Sequence, residues 1–209
     1  MYFGVNTCFA SLPLFVPTII SQMGAFSTIQ SNGLSAPPFL ACWIVIIIVA
    51  FLSDRLKLRG PFTVGAALVA AIGYIILATT TGVGPRYFGL FLAVMSFVCV
   101  PLVLTWVGNT HATDSKRAAA LAILATGGQC GPVLGTSVFP PGDAPYYRRG
   151  MWVSFGAMII VMATGSLQTF LLWRENKRRD REDGTTVDRP QEFDVEDARG
   201  NDKRFRYVL

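Results

Sequence analysis

A short charged segment, Asp54 to Gly60, is the part of this chain best suited to electrostatic chemistry. Asp54 carries a carboxylate, and the guanidinium groups of Arg55 and Arg59 stand four positions apart, a spacing that shares one face of a helical turn. The carboxylate can pair with Arg59 or meet the positive end of a helix dipole. The segment therefore favours ion pairing at a turn, and the alternative is a simple topological signal.

Polar side chains within apolar sequence mark a second candidate site. Trp106, Asn109 and Gln129 fall inside two long apolar runs. Polar groups in hydrocarbon are costly unless they face protein or water. We interpret these three as hydrogen-bonding groups that line a solute cavity, and the alternative is hydrogen bonding between helices, worth roughly 1 kcal/mol.

Enzyme chemistry and metal binding find little support in the residue inventory. The only histidine, His111, lacks a partnering Ser or Cys, and no acidic residue falls in an apolar run, so we predict neither an enzyme nor a cofactor. A histidine is a residue type that can carry a proton, and the alternative for His111 is a wetted loop histidine. The cysteines form no CxxC pair and predict small apolar packing residues, not a metal or disulfide site: Cys8, Cys42, Cys99 and Cys130.

The elements that must position these residues are membrane helices. The chain is 52% hydrophobic and 15% charged, and an apolar run of about 20 residues is long enough to cross a bilayer as a helix. Six such runs lack Asp, Glu, Lys and Arg: 1–20, 33–53, 61–81, 87–109, 118–139 and 150–173. We predict an all-α membrane protein with a disordered, charged tail at 174–209.

The distribution of basic residues predicts the orientation. Of the 18 Lys and Arg residues, only Arg86, Arg148 and Arg149 fall on the side opposite the Asp54 segment. Lys and Arg concentrate on the cytoplasmic side of membrane proteins. The Asp54 segment and the tail are therefore predicted to be cytoplasmic. The net charge of +5 reflects this bias and does not indicate nucleic-acid binding.

The fifth run carries glycines at intervals of four: Gly127, Gly131 and Gly135. Small residues at this spacing allow close packing of helices in lipid. We interpret the three glycines as a packing seam. The alternative is that the missing side chains leave room for a solute or for a sliding contact.

Motifs along the whole chain form one ordered pattern. They are Ser11–Ile20, Leu34–Phe39, Ser53–Gly60, Trp106, Asn109, Lys116-Arg117, Gly127-Gly128, Gly131, Phe139-Pro140, Ala144–Tyr146, Gly150 and Phe205–Leu209. In this order they resemble the carboxy-terminal half of a major facilitator superfamily transporter, and in detail the fungal anion:cation symporters typified by allantoate and nicotinate permeases. Ala50, Thr113 and Gln129 depart from that pattern.

The resemblance implies a function as well as a fold. The six helices would form one half of a twelve-helix secondary transporter that works by alternating access. Its substrate would be a small organic anion such as a carboxylate or a vitamin-like compound, moved across the plasma membrane, with protons as the candidate coupling ion. Asp54, Arg55 and Arg59 would form a gating loop that engages an amino-terminal six-helix half. The alternative, favoured by a start within a helix, is a truncated remnant that inserts without transporting.

Overall fold

The chain folds into helices of membrane-spanning length. The computed structural model describes residues 1–24, 26–111, 113–144 and 146–182. The helices are α1 (Tyr2–Gly24), α2 (Thr28–Leu56), α3 (Arg59–Thr79), α4 (Val83–Val94), α5 (Cys99–Asn109), α6 (Asp114–Gly128), α7 (Cys130–Ser137) and α8 (Arg148–Glu182). Short 3-10 segments occupy Met95–Val98 and Pro141–Asp143. Since α4–α5 and α6–α7 each act as one span, the six predicted membrane helices are confirmed.

Several helices extend beyond the apolar runs that predict them. α2 begins at Thr28 instead of residue 33, because Ser27 and Gln30 form a reciprocal capping box. Ser27 Oγ accepts from the Gln30 amide at 3.3 Å, and Gln30 Oε1 accepts from the Ser27 amide at 3.1 Å. α4 begins at Val83, so Arg86 lies within a helix and not in the loop before it. At the start of α2, helix capping and not the end of the apolar run sets the boundary.

α8 continues past the predicted end of the last span. Residues 174–182 are helical, although the sequence predicts disorder from residue 174. Arg178 pairs with Glu175 at 3.0 Å, and Lys177 Nζ lies 5.1 Å from the ring centre of Trp173. Such i,i+3 and i,i+4 contacts support a helix that has left the apolar environment. The rest of the predicted tail, 183–209, lies outside the described residues.

Proline explains two interruptions within the spans. Pro101 has no amide hydrogen to donate to the carbonyl of Phe97, which lies in the 3-10 segment between α4 and α5. The Cys42 thiol lies 3.2 Å from the nearby Val94 carbonyl, in position to donate to it. Pro132 likewise cannot donate to the carbonyl of Gly128, the last residue of α6. The fourth and fifth spans are therefore interrupted helices: a 3-10 segment lies within the fourth, and Gln129 separates the two helices of the fifth.

The centre of the bundle consists of α1, α3 and the α4–α5 span. α3 packs against α4 and α8, while α1 packs against α2, α7 and α8. Buried core residues from these elements include Leu12, Val16, Tyr74, Leu90 and Met158. α2 and α6–α7 lie at the periphery, since only 11% and 17% of the residues in their most apolar stretches are buried. Two spans thus present most of their surface outward.

Candidate functional site

The charged segment forms a tight turn between α2 and α3. Asp54 and Arg55 belong to the last turn of α2, and Arg59 is the first residue of α3. Lys57 has a φ of 54°, the left-handed conformation that commonly ends a helix. The Ser53 hydroxyl donates to the Leu58 carbonyl at 3.3 Å and closes the turn. The connection is therefore Lys57 and Leu58 alone, shorter than the predicted hairpin.

Arg59 makes the densest set of polar contacts at this end of the bundle. Its Nη2 donates to Asp54, and its Nη1 donates to Thr105 Oγ1 at 2.6 Å. In the amide orientation that satisfies both groups, Asn109 Oδ1 accepts from Arg59 Nη2 at 3.2 Å and from Nε at 3.1 Å. We call Asp54, Arg59, Thr105 and Asn109 the Arg59 cluster.

The Arg59 cluster ties the α2–α3 turn to the end of α5. The Arg59 side chain is 11% exposed, whereas that of Asp54 is 60% exposed. The cation is thus sheltered by its partners, and the carboxylate stays accessible to water or to another protein segment. Arg55, which the sequence groups with these charges, is exposed and lies outside the cluster.

The three predicted cavity residues do not meet in one cavity. Asn109 belongs to the Arg59 cluster. Trp106 is 2% exposed and packs beside Gly60, where a methyl group on the glycine would lie 3.1 Å from the indole. Gln129 is exposed at the junction of α6 and α7. The structure thus places the three residues in different surroundings, because the rotation of each helix turns its side chains in a different direction. Their role in lining a solute cavity stays a prediction.

Two of the three glycines of the predicted seam pack against α1, and the third position of the seam is one residue later than predicted. A methyl group at Gly131 would lie 2.5 Å from the Phe3 carbonyl of α1, and Gly135 meets the Thr7 carbonyl. Gly128, not Gly127, completes this face, while Gly127 faces open space. The helix is interrupted at Gln129, so the four-residue spacing does not keep Gly127 on the face of Gly131.

The cysteines and His111, the candidate reactive residues, lie in surroundings typical of packing and helix-end residues. Cys8, Cys42 and Cys99 are buried, in line with the predicted packing role, but Cys130 is exposed. His111 Nδ1 lies 3.0 Å from the Val107 carbonyl at the end of α5. Among the described residues, no group of His, Cys, Asp and Glu is arranged to hold a metal ion.

Sequence reasoning missed Arg86, which is buried at the opposite end of the bundle. It is 1% exposed, and its Nη2 donates to the Tyr146 carbonyl at 3.4 Å. The guanidinium carbons of Arg86 and Arg148 lie 5.1 and 5.5 Å from the centre of the Tyr146 ring. A cavity of about 340 Å³ is lined by Asp143, Tyr146, Arg148 and Arg149. The only available signal was the charge count, which places these three arginines on one side.

Known proteins similar to the chain are fungal transporters. The high-affinity nicotinic acid transporter of Saccharomyces cerevisiae is 32% identical over 178 residues, which cover 85% of this chain and 33% of that protein. The MFS-type transporter cnsO of Penicillium expansum is 30% identical over 207 residues, 95% of this chain and 40% of that protein. An uncharacterized transporter of Schizosaccharomyces pombe, C1683.12, is 29% identical over 99% of this chain and 40% of its own length.

These relatives are considerably longer than the chain, which spans between 33% and 41% of the curated relatives it matches. No protein-family model and no solved structure matches it. The similarity nevertheless extends over nearly the whole chain and agrees with six helices of membrane-spanning length. The chain is therefore an integral membrane protein and a homologue of the fungal major facilitator superfamily transporters.

Proposed function

We propose that the chain is the carboxy-terminal half of a secondary active transporter for a small organic anion. The observation that carries this proposal is its similarity to the S. cerevisiae nicotinic acid transporter over 85% of its length. A carboxylate such as nicotinate is the substrate class that this relative suggests. The transporter would reside in the plasma membrane with the end of α8 in the cytoplasm, and it would alternate between two access states.

The outward surface of α6–α7 supports a role for a second half. α2 and α6–α7 are similarly exposed, yet α2 is among the most apolar spans and α6–α7 has the lowest mean hydropathy. The apolar surface of α2 can face lipid, whereas the more polar surface of α6–α7 would be destabilising in hydrocarbon. Gln129, Thr126 and Gly127 are exposed on α6–α7. We assign this face to the solute pathway, where it meets water and the amino-terminal half.

The Arg59 cluster supports a gate at the cytoplasmic end. The exposed carboxylate of Asp54 and the exposed guanidinium of Arg55 are available to a facing segment, while Arg59 anchors the turn to α5. Ion pairs at a surface contribute little stability and exchange readily with water. Such pairs suit a contact that forms and breaks in each transport cycle.

Uptake measurements test the transporter proposal. Cells without endogenous nicotinate uptake would express this chain alone, or with a matching amino-terminal half, and radiolabelled nicotinate uptake would be measured at acidic and neutral external pH. We expect uptake only from the paired halves, with a higher rate at acidic pH if protons are moved as well. Surface biotinylation would check that each form reaches the plasma membrane.

The other outcomes separate the alternatives. Absence of uptake from correctly inserted paired halves, for nicotinate and for a panel of labelled carboxylates, would favour the non-transporting remnant. Uptake by this chain alone would contradict the need for a second half.

A matched pair of variants tests the assigned face. Gln129→Ala should raise the KM for uptake several-fold, because an amide that meets the solute is lost. Gln168→Ala removes another exposed amide, from α8, and should leave the KM unchanged. Equal effects of both substitutions would remove Gln129 from the pathway.

A further inference from the structure

The group of arginines around Tyr146 has no role in the proposed gate or pathway. Arg86 lies in the first turns of α4, and Arg148 and Arg149 are the first two residues of α8. α3 begins at Arg59 and ends at Thr79, so α4, which follows it, begins at the end of the bundle opposite the Arg59 cluster. The contact between Arg86 and Tyr146 places the start of α8 at the same end. The fold thus gathers at one spot cations that are some 60 residues apart in the chain.

Positive charge in this group exceeds negative charge. Asp143 pairs with Arg149 at 3.6 Å. Among the described residues, neither Arg86 nor Arg148 has a carboxylate partner, and both lie against the same tyrosine ring. Like charges brought this close repel each other unless an anion lies between or beside them.

Arg86 also leaves hydrogen-bonding capacity unused. It is buried to 1% exposure, and its Nε has no hydrogen-bond partner among the described residues. In that part of the chain its side chain makes one polar contact besides the ring, the long 3.4 Å bond from Nη2 to the Tyr146 carbonyl. Buried cations are normally paired, because a charge removed from water without a partner is destabilising. The neighbouring cavity is lined by Asp143, Tyr146, Arg148 and Arg149, so Arg86 would act on an anion bound there through its charge and not through a direct contact.

The loop that carries Tyr146 is held in a fixed position. Tyr147 adopts a φ of 45°, and its ring centre lies 6.3 Å from Phe15 and 6.1 Å from Phe139. Gln22 Nε2 of α1 lies 3.4 Å from the Tyr147 hydroxyl. Gly150 contacts the Phe139 ring so closely that a Cβ would collide with it. The backbone that carries Arg148 and Arg149 is therefore positioned before any ligand arrives, which limits the entropic cost of binding to the ordering of these two exposed side chains.

The cavity beside this group fits a small anion. Its volume of about 340 Å³ suits a small molecule, and Arg148 and Arg149 line it together with Tyr146 and Asp143. Guanidinium groups bind carboxylates through paired hydrogen bonds, and the N-terminus of α8 adds the positive end of a helix dipole. Because Asp143 already pairs with Arg149, Arg148 is the cation available to an incoming carboxylate.

We propose that Arg148 and Arg149, backed by the buried Arg86, form a binding site for a small carboxylate at the end of the bundle opposite the Arg59 cluster. This proposal shares with the proposed function the choice of an anionic ligand, but it concerns binding and does not require transport. The phosphate of an anionic lipid headgroup offers related chemistry, so the experiment must separate the two.

Equilibrium dialysis of radiolabelled nicotinate against the whole chain in neutral phosphatidylcholine nanodiscs tests the site. We expect saturable binding that weakens at high salt, because surface-accessible charges are screened. The Arg148→Gln, Arg149→Gln double variant should bind about tenfold more weakly or worse, as expected for lost charge-assisted hydrogen bonds. Both arginines are exposed, so the variant should elute as a monodisperse species in size-exclusion chromatography.

A matched control removes the same charge from the other end. The Lys116→Gln, Arg117→Gln double variant loses two cations near the start of α6 and should bind as the unsubstituted chain does. An equal loss in this control, or no saturable binding by the unsubstituted chain, would overturn the proposal. Loss of nicotinate binding in phosphatidylglycerol nanodiscs would also overturn it, in favour of a lipid phosphate site.

The outcomes are independent of the uptake experiment. Binding that depends on Arg148 and Arg149, without uptake by paired halves, would support this site and contradict the transporter. Uptake by paired halves without binding that depends on Arg148 and Arg149 would support the transporter and contradict this site.

Discussion

At the scale of single residues, Arg59 does more than the sequence suggests. Its three nitrogens contact α2 through Asp54 and α5 through Thr105 and Asn109. Asn109, which the sequence predicts to line a solute cavity, is a hydrogen-bond partner for this cation. A residue type indicates what bonds are possible, but only the neighbours in space decide which bond is made.

Asp54→Asn tests the gate. The amide keeps the size of the side chain and removes its charge, and Asp54 is 60% exposed, so folding should change by less than about 1 kcal/mol. In the paired halves we expect nicotinate uptake to fall several-fold while the amount of protein in the membrane stays normal. Asp114→Asn, an exposed carboxylate in the first turn of α6, is the control and should transport normally. Unchanged uptake in Asp54→Asn would reduce the segment to a topological signal.

At the scale of elements, close contact between α7 and α1 depends on glycine. Gly131 and Gly135 meet backbone atoms of α1, which cannot move aside as a flexible side chain would. Proline at position 132 interrupts the span at Gln129 and brings Gly128 into the seam in place of Gly127. The spacing of glycines in the sequence predicted the seam, but the interruption at Gln129 determined which glycines belong to it.

Two alanine substitutions distinguish the faces of this span. Gly131→Ala should destabilise the folded bundle by about 1–3 kcal/mol, because the new methyl group overlaps the Phe3 carbonyl. Gly127→Ala adds the same methyl group to open space and should cause no loss. Thermal unfolding in detergent, followed by size-exclusion chromatography, would measure both. A seam formed by Gly127 would show the opposite order.

At the scale of the whole molecule, charge separates the two ends of the bundle. The Arg59 cluster lies at one end, and Arg86, Arg148 and Arg149 gather at the other. The excess of basic residues on the first side predicts that this side is cytoplasmic. Arg86, Arg148 and Arg149, the few basic residues on the opposite side, form the proposed anion site.

Cysteine labelling from outside the cell tests this orientation. Gly82→Cys and Ser115→Cys would be introduced separately into a Cys130→Ala background, because Cys130 is exposed while Cys8, Cys42 and Cys99 are buried. A membrane-impermeant maleimide should label the Gly82→Cys protein in intact cells. The Ser115→Cys protein should react only after permeabilisation. The reverse pattern would invert the assigned topology.

The sequence by itself determined the fold class and the number of spans. Hydrocarbon requires every backbone hydrogen bond to be satisfied within the segment, so six long apolar runs leave helices as the outcome. The paired charges Asp54 and Arg59 were also recognised, because their separation along the chain is short. These features depend on local composition and on the solvent.

The tertiary structure alone decided which residues work together. Rotation of each helix buries Trp106, exposes Gln129 and turns Asn109 towards Arg59, and an apolar run carries no information about that rotation. Packing of α4 against the loop before α8 likewise brings Arg86 to Tyr146. Such contacts join distant parts of the chain, and they form because packed helices fix the angle at which each side chain leaves the backbone.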